Sequence, residues 1–112
     1  MIKENDELTL FISYLQNERH YSSKTIASYK TDLLEVEKFL KENGGYNGWK
    51  NITERDIQLY LQHLSDRKLA RSSQLRQMSS LHSFYRFLTR RKIVQVDPTQ
   101  QITLRRGEKK LP

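Results

Sequence analysis

The sequence contains no cysteine, two prolines and four glycines in 112 residues. Without cysteine there is no disulfide and no thiolate zinc site, so neither device can supplement a small core. Few prolines and glycines leave little to interrupt helices. No apolar run approaches the length of a membrane span. The N-terminal MIKENDELTL is polar and acidic, unlike a signal peptide. Metal-ligand spacing is missing too, because His20, His63 and His82 lie far apart. No glycine-rich phosphate loop occurs, and no base or oxyanion donor stands beside any of the six tyrosines. These absences describe a cytoplasmic, mainly helical protein of one domain, with no active site in this stretch, no metal and no cofactor.

The most localised absence is of acid. Residues 67–96 contain neither Asp nor Glu. Residues 1–66 hold 8 Lys/Arg against 11 Asp/Glu, a net of −3, whereas residues 67–112 hold 12 against 2, a net of +10. A basic half on a small domain is the electrostatic footprint of a nucleic-acid binder. A basic face kept for solubility is the alternative, but solubility does not require sorting charges by sign.

What is present is helical periodicity. Leu8, Ile12 and Leu15, with Phe11 beside them, predict a first helix over Glu4–Arg19, its acids Glu4, Asp6 and Glu7 in the first turn. Ile26, Tyr29, Leu33, Val36 and Leu40 form the stripe of a second helix, capped by Ser22 or Ser23 and stopped at Asn43-Gly44. Trp49, in the loop that follows, plugs an edge of the core. A third helix opens at Thr53, where Asp56 completes a capping box, and buries Ile57, Leu61 and Leu64, with Tyr60 alongside. The fourth helix, capped by Ser72 or Ser73, follows a connection longer than the three or four residues of a helix-turn-helix. Ile93, Val94 and Val96 pack near its exit, Asp97-Pro98 ends regular structure, and a basic extended tail begins at Thr99.

The fourth helix separates into two sides at 100° per residue. Met78, Leu81, Phe84, Tyr85 and Leu88 form the core side. Ser72, Arg76, Ser79, Ser83, Arg86 and Arg90 occupy the other, with Ser80 at its edge. Serine is an indifferent helix former, so five between Ser72 and Ser83 need a reason. Small hydroxyls between long cations suit a helix lying on a DNA groove, where arginines reach phosphate or guanine. A tight helix–helix contact would also use small residues, but burying the arginines would then require acidic partners, for which the acid-rich third helix is a source. Lys24, Thr25 and Ser28, in the first turns of the second helix, offer a companion surface for a phosphate. Leu34 and Phe87 are the clear apolar residues on otherwise polar faces, the feature a protein-interaction domain would need.

The segments FISYLQNERHYSSKTIASYKTDLLEVEKFL and SSLHSFYRFLTRRKIVQVDPTQQI together resemble the N-terminal core-binding domain of tyrosine site-specific recombinases, the bacterial Xer group in particular. The pattern runs from Glu18-Arg19 through Ser22, Thr25, Ile26, Tyr29, Asp32 and Leu33 to Asp97-Pro98-Thr99 and the terminal KKLP. The resemblance implies an all-α fold, a four-to-five-helix SAM-like orthogonal bundle over residues 1–98. A basic linker over 99–112 would lead to a separate catalytic domain that is not in this sequence. It implies that the second and fourth helices cross duplex DNA as half of a clamp. Lys24, Thr25, Ser28, Arg76, Ser79 and Ser83 then match DNA-facing places, and the helical wheel adds Ser80, Arg86 and Arg90 to the expected DNA-binding residues. His82 stands where many relatives carry Arg or Lys, which makes a phosphate contact there weaker or pH-sensitive. The implied partners are a recombination site on nucleoid DNA and, in the full-length protein, a homologous recombinase protomer in a tetrameric synapse, the fragment itself being monomeric without DNA. The other readings are a helix-turn-helix-like regulator and a helical protein-interaction domain.

Overall fold

Helix α1 spans Glu7–Asn17 and buries Leu8, Phe11 and Leu15 along one side, the spacing that its period dictates. The computed structural model describes residues 7–43, 46 and 48–102. Glu4, Asp6, Gly44 and the tail beyond Ile102 lie outside them, so the helix start, glycine stop and extended tail predicted there are not addressed by it. Helix α2 spans Ser23–Glu42, with Ser22 as N-cap accepting from the Thr25 N–H at 3.2 Å. A single 3-10 turn, Trp49–Asn51, seats the buried Trp49. Helix α3 spans Glu54–Asp66 behind the expected capping box. The Asp56 N–H donates to the Thr53 hydroxyl at 3.2 Å, and the Thr53 N–H donates to the Asp56 carboxylate at 3.0 Å. Helix α4 spans Arg71–Arg90. Among the described residues the regular structure is entirely helical, as the periodicities predict.

Helix α4 packs against all three other helices, and this decides what it exposes. The predicted core stripe Met78, Leu81, Phe84, Tyr85 and Leu88 is buried. So are Gln77, Ser80 and Phe87 on its flanks, because a helix gripped from three directions hides more than one narrow stripe. Phe11 anchors the aromatic centre, with ring centroids 5.2 Å from Phe84, 5.4 Å from Phe87 and 5.8 Å from Tyr29. Trp49 stands edge-on to Phe84 at 4.9 Å, and its carbonyl accepts from the Tyr85 hydroxyl at 2.7 Å. Phe87, expected on a polar face, is 5% exposed. Leu34 is exposed as expected, and so are Leu10 and Leu59.

The helix ends depart from expectation in an instructive way. Helix α4 begins one residue before the serines proposed to cap it, with Ala70 as N-cap and no side-chain cap. The α3–α4 connection is therefore residues 67–70, and its length does not distinguish the fold from a helix-turn-helix. Both α3 and α4 end in a six-to-one backbone closure. Leu69 N–H reaches the Leu64 carbonyl and Ile93 N–H the Leu88 carbonyl, with Lys68 and Lys92 in the left-handed conformation at φ 60° and 61°.

The exit of α4 also differs. Val96 does not pack near it but is 73% exposed, while Val94 is buried. Asp97 does not begin an extended tail. Its carboxylate accepts from the Thr99 N–H at 2.8 Å and from the Thr99 hydroxyl at 2.6 Å, a turn that folds the chain back. Thr99 and Ile102 are buried with the core, so the packed unit continues past residue 98, at least to Ile102.

Candidate nucleic-acid interface

The arginines between Arg76 and Arg91, in the acid-free stretch 67–96, divide by whether a carboxylate answers them. Arg76 is answered from α2 rather than from the acid-rich α3. Its Nη2 donates to Asp32 Oδ1 at 2.6 Å and its Nε to Oδ2 at 3.3 Å. Ser80 donates its hydroxyl to the same Oδ2 at 2.8 Å. Asp32 is 1% exposed, so its charge is tolerable in the interior because guanidinium and hydroxyl both bond to it. Those bonds raise the pKa of Arg76, which remains a cation at any physiological pH. Ser80, placed among the DNA-facing residues from the helical wheel, is 4% exposed and points into this joint. It cannot meet a phosphate. The Arg76 side chain is still half-exposed, but two of its donors are committed to Asp32. Arg91 is answered by Glu18 at 3.2 Å and lies over the Phe87 ring.

Arg86 and Arg90 have no carboxylate partner among the described residues, and both are exposed. Together with Ser79, Ser83 and His82 they line an open groove of about 740 Å3, whose opposite wall is the folded-back segment containing Asp97 and Gln100. His82 ties the helix to that folded-back segment. Its Nδ1 lies 3.0 Å from the Thr99 hydroxyl oxygen, whose one proton goes to Asp97. Thr99 must then accept, so His82 donates from Nδ1 and, when neutral, keeps a lone pair on Nε2.

On α2, Lys24, Thr25 and Ser28 are exposed. The Thr25 oxygen accepts from the Ser22 hydroxyl at 3.0 Å, part of the cap, while Lys24 and Ser28 carry no such duty. The level of each helix is fixed by two contacts. Asp32 meets Arg76 and Ser80, and Tyr29, one turn earlier on α2, lines a pocket with Ser83 and Arg86, later on α4. The first turns of α2 therefore lie toward the Arg86–Arg90 end of α4. The structure brings Ser79, Ser83, Arg86 and Arg90 together on one face and withdraws Ser80 and part of Arg76. Asp32 was legible as a motif position without a role, and Arg19, Tyr21 and Tyr29 carried no signal of a shared pocket.

No group of His, Asp or Glu that could hold a metal occurs among the described residues, and no helix there is long and apolar enough to cross a membrane.

Residues 8–92 match the family described as phage integrase, N-terminal SAM-like domain. The tyrosine recombinase XerC of Lactobacillus delbrueckii subsp. bulgaricus is 56% identical over 102 residues, covering 91% of this chain and 34% of that protein. The XerC proteins of Anoxybacillus flavithermus and Lacticaseibacillus casei are 43% and 41% identical, over 96% and 94% of this chain and 36% and 35% of theirs. The chain thus spans about a third of the length of these relatives. No solved structure matches it.

Proposed function

The chain belongs to the phage-integrase N-terminal SAM-like family, and from that premise we propose that it binds duplex DNA sequence-specifically, as the N-terminal half of the clamp of a tyrosine recombinase. The observation that carries this is the α4 face of exposed Ser79, Arg86 and Arg90 and half-buried Ser83, on which no carboxylate answers either arginine among the described residues. A phosphate backbone is the partner that such a face fits, with the small hydroxyls admitting close approach. Lys24 and Ser28 extend the contact along α2. In the whole protein this module would hold a recombination site while a catalytic domain breaks and rejoins strands, with a homologous protomer in a tetrameric synapse. The process served would be chromosome dimer resolution or DNA integration.

The test is fluorescence anisotropy of the chain with a duplex between 50 and 200 mM salt. With about four phosphates neutralised, log Kd should change with log salt at a slope near 3.6 in magnitude. The double reversal Arg86→Glu/Arg90→Glu should weaken binding at least about tenfold at low salt, with an unchanged helical circular dichroism spectrum. Unchanged affinity in that variant would reject the proposed face.

A further inference from the structure

A second concavity opens on the other flank of α4, and it gathers cations with nothing anionic to face them. Arg19, from the α1–α2 connection, and Arg86 and Arg90, from α4, line a pocket of about 130 Å3 together with Ser83, Tyr21 and Tyr29. Ser83, Arg86 and Arg90 also line the larger groove, so they form the ridge between the two. Among the described residues Arg19 has no ion pair. Its guanidinium centre lies 5.1 Å over the Tyr21 ring, and Tyr21 stacks on Tyr29 with centroids 6.0 Å apart. The adjacent acid, Glu18, is engaged by Arg91 instead.

Three guanidiniums around one small cavity repel one another unless an anion shares them. The lining offers hydrogen-bond donors from the three arginines, Ser83 and the tyrosines beside apolar Phe11, Leu15 and Phe87, and none of it is a carboxylate. A cavity of about 130 Å3 has room for a single phosphate group. Tyr21, engaged by Arg19 and by Tyr29, serves as a support for the guanidinium rather than as a free platform for a base.

We propose that this pocket is a phosphate-binding subsite in which Arg19 contacts the anion from outside the two helices that carry the rest of the interface. The proposal rests on the DNA-binding reading above. The chemistry recognised is a tetrahedral phosphate oxyanion, which either a backbone phosphodiester or free inorganic phosphate presents.

The experiment compares Arg19→Gln with Lys50→Gln, an equal loss of charge at an exposed lysine that lines a different groove. Anisotropy with a mixed-sequence 30-base-pair duplex gives the salt slope. In parallel, inorganic phosphate is titrated against the arginine Nε NMR signals without DNA. The expected result is a slope smaller by about 0.9 in Arg19→Gln, with several-fold weaker binding at 50 mM salt, and an unchanged slope in Lys50→Gln. Shifts of the Arg19, Arg86 and Arg90 signals at millimolar phosphate would show that the free anion also enters. Their absence beside a reduced slope would assign the pocket to the phosphodiester. An Arg19→Gln slope equal to wild type with no phosphate-induced shift overturns the proposal, as does an equal slope loss in Lys50→Gln. If the unmodified chain shows no salt-dependent binding to any duplex, the DNA reading fails. The phosphate titration then decides the pocket by itself, shifts at the three arginines supporting it and their absence overturning it. Arg19 is exposed, so a melting temperature close to wild type is expected and checks that the variant is folded.

Discussion

Replacing Asp32 by alanine would strip two groups of the acceptor around which they are arranged. Arg76 would keep a half-buried guanidinium with no counter-charge, and the buried Ser80 hydroxyl would lose its bond. A buried pair broken from one side costs about 3–5 kcal/mol. Arg76 can still turn half its surface to water, so the expected loss is about 2–3 kcal/mol, read from urea denaturation. Arg76→Ala should cost a comparable amount, and the Asp32→Ala/Arg76→Ala double variant clearly less than the sum. A second expectation concerns alkali. Burial holds the Tyr60 and Tyr85 hydroxyls well above the ordinary 10.0. The folded state therefore keeps protons that the unfolded chain releases, and stability is full below about pH 10 and falls as pH rises above it. The slope is about 1.4 kcal/mol per pH unit for each tyrosine, and denaturant midpoints at pH 9, 10 and 11 would register it. None of this pairing was legible in sequence. Arg76 and Asp32 are 44 residues apart, and spacing on one helix says nothing of which acid another helix presents. The core stripe was legible, because burial of Met78, Leu81, Phe84, Tyr85 and Leu88 follows from a local period.

The scarcity of glycine in the sequence reappears in the helices as strain at their ends. Lys68 and Lys92 adopt the left-handed backbone that glycine accepts without cost, and both follow helices whose C-terminal dipole favours a cation. Lys68→Gly or Lys92→Gly should raise stability by about 0.5–1 kcal/mol in thermal or urea unfolding, the relief of backbone strain exceeding the weak dipole contribution. At the other end of α4 the N-cap is an alanine in extended conformation, ψ 147°. Ala70→Ser should add about 0.5–1 kcal/mol, measured in the same way. The two serines that suggest a cap lie inside the helix because the closure of α3 dictates where the next helix can start. Leu69 is tied back to Leu64, which leaves Ala70 as the single residue of transition. Local cap preference thus lost to tertiary connection, whereas at Thr53 the preference and the connection agree and the predicted box forms.

For the whole molecule, the charge asymmetry visible in sequence is partly cancelled in space. Asp32 and Glu18 from the acidic half answer Arg76 and Arg91 from the basic one, while among the described residues Arg19, Arg86 and Arg90 line one pocket without a carboxylate. The basic excess was therefore legible, and so were Arg86 and Arg90 as candidates, whereas the pairing of Arg76 and the approach of Arg19 were not. The segment after α4 completes the fold: Thr99 is fully buried and Ile102 lies in the core cluster. A chain ending at Pro98 should melt about 5–10 °C lower by calorimetry, the effect of losing about 1–2 kcal/mol of burial. The tether through Asp97, Thr99 and His82 also fixes where the backbone leaves the groove-lining helix. On the DNA-binding proposal, any further DNA-contacting unit joined beyond that point would search a volume measured from a fixed point beside the groove. Its local concentration near the same duplex would then be set by linker reach, so two weak grips could act as one strong one without any added contact.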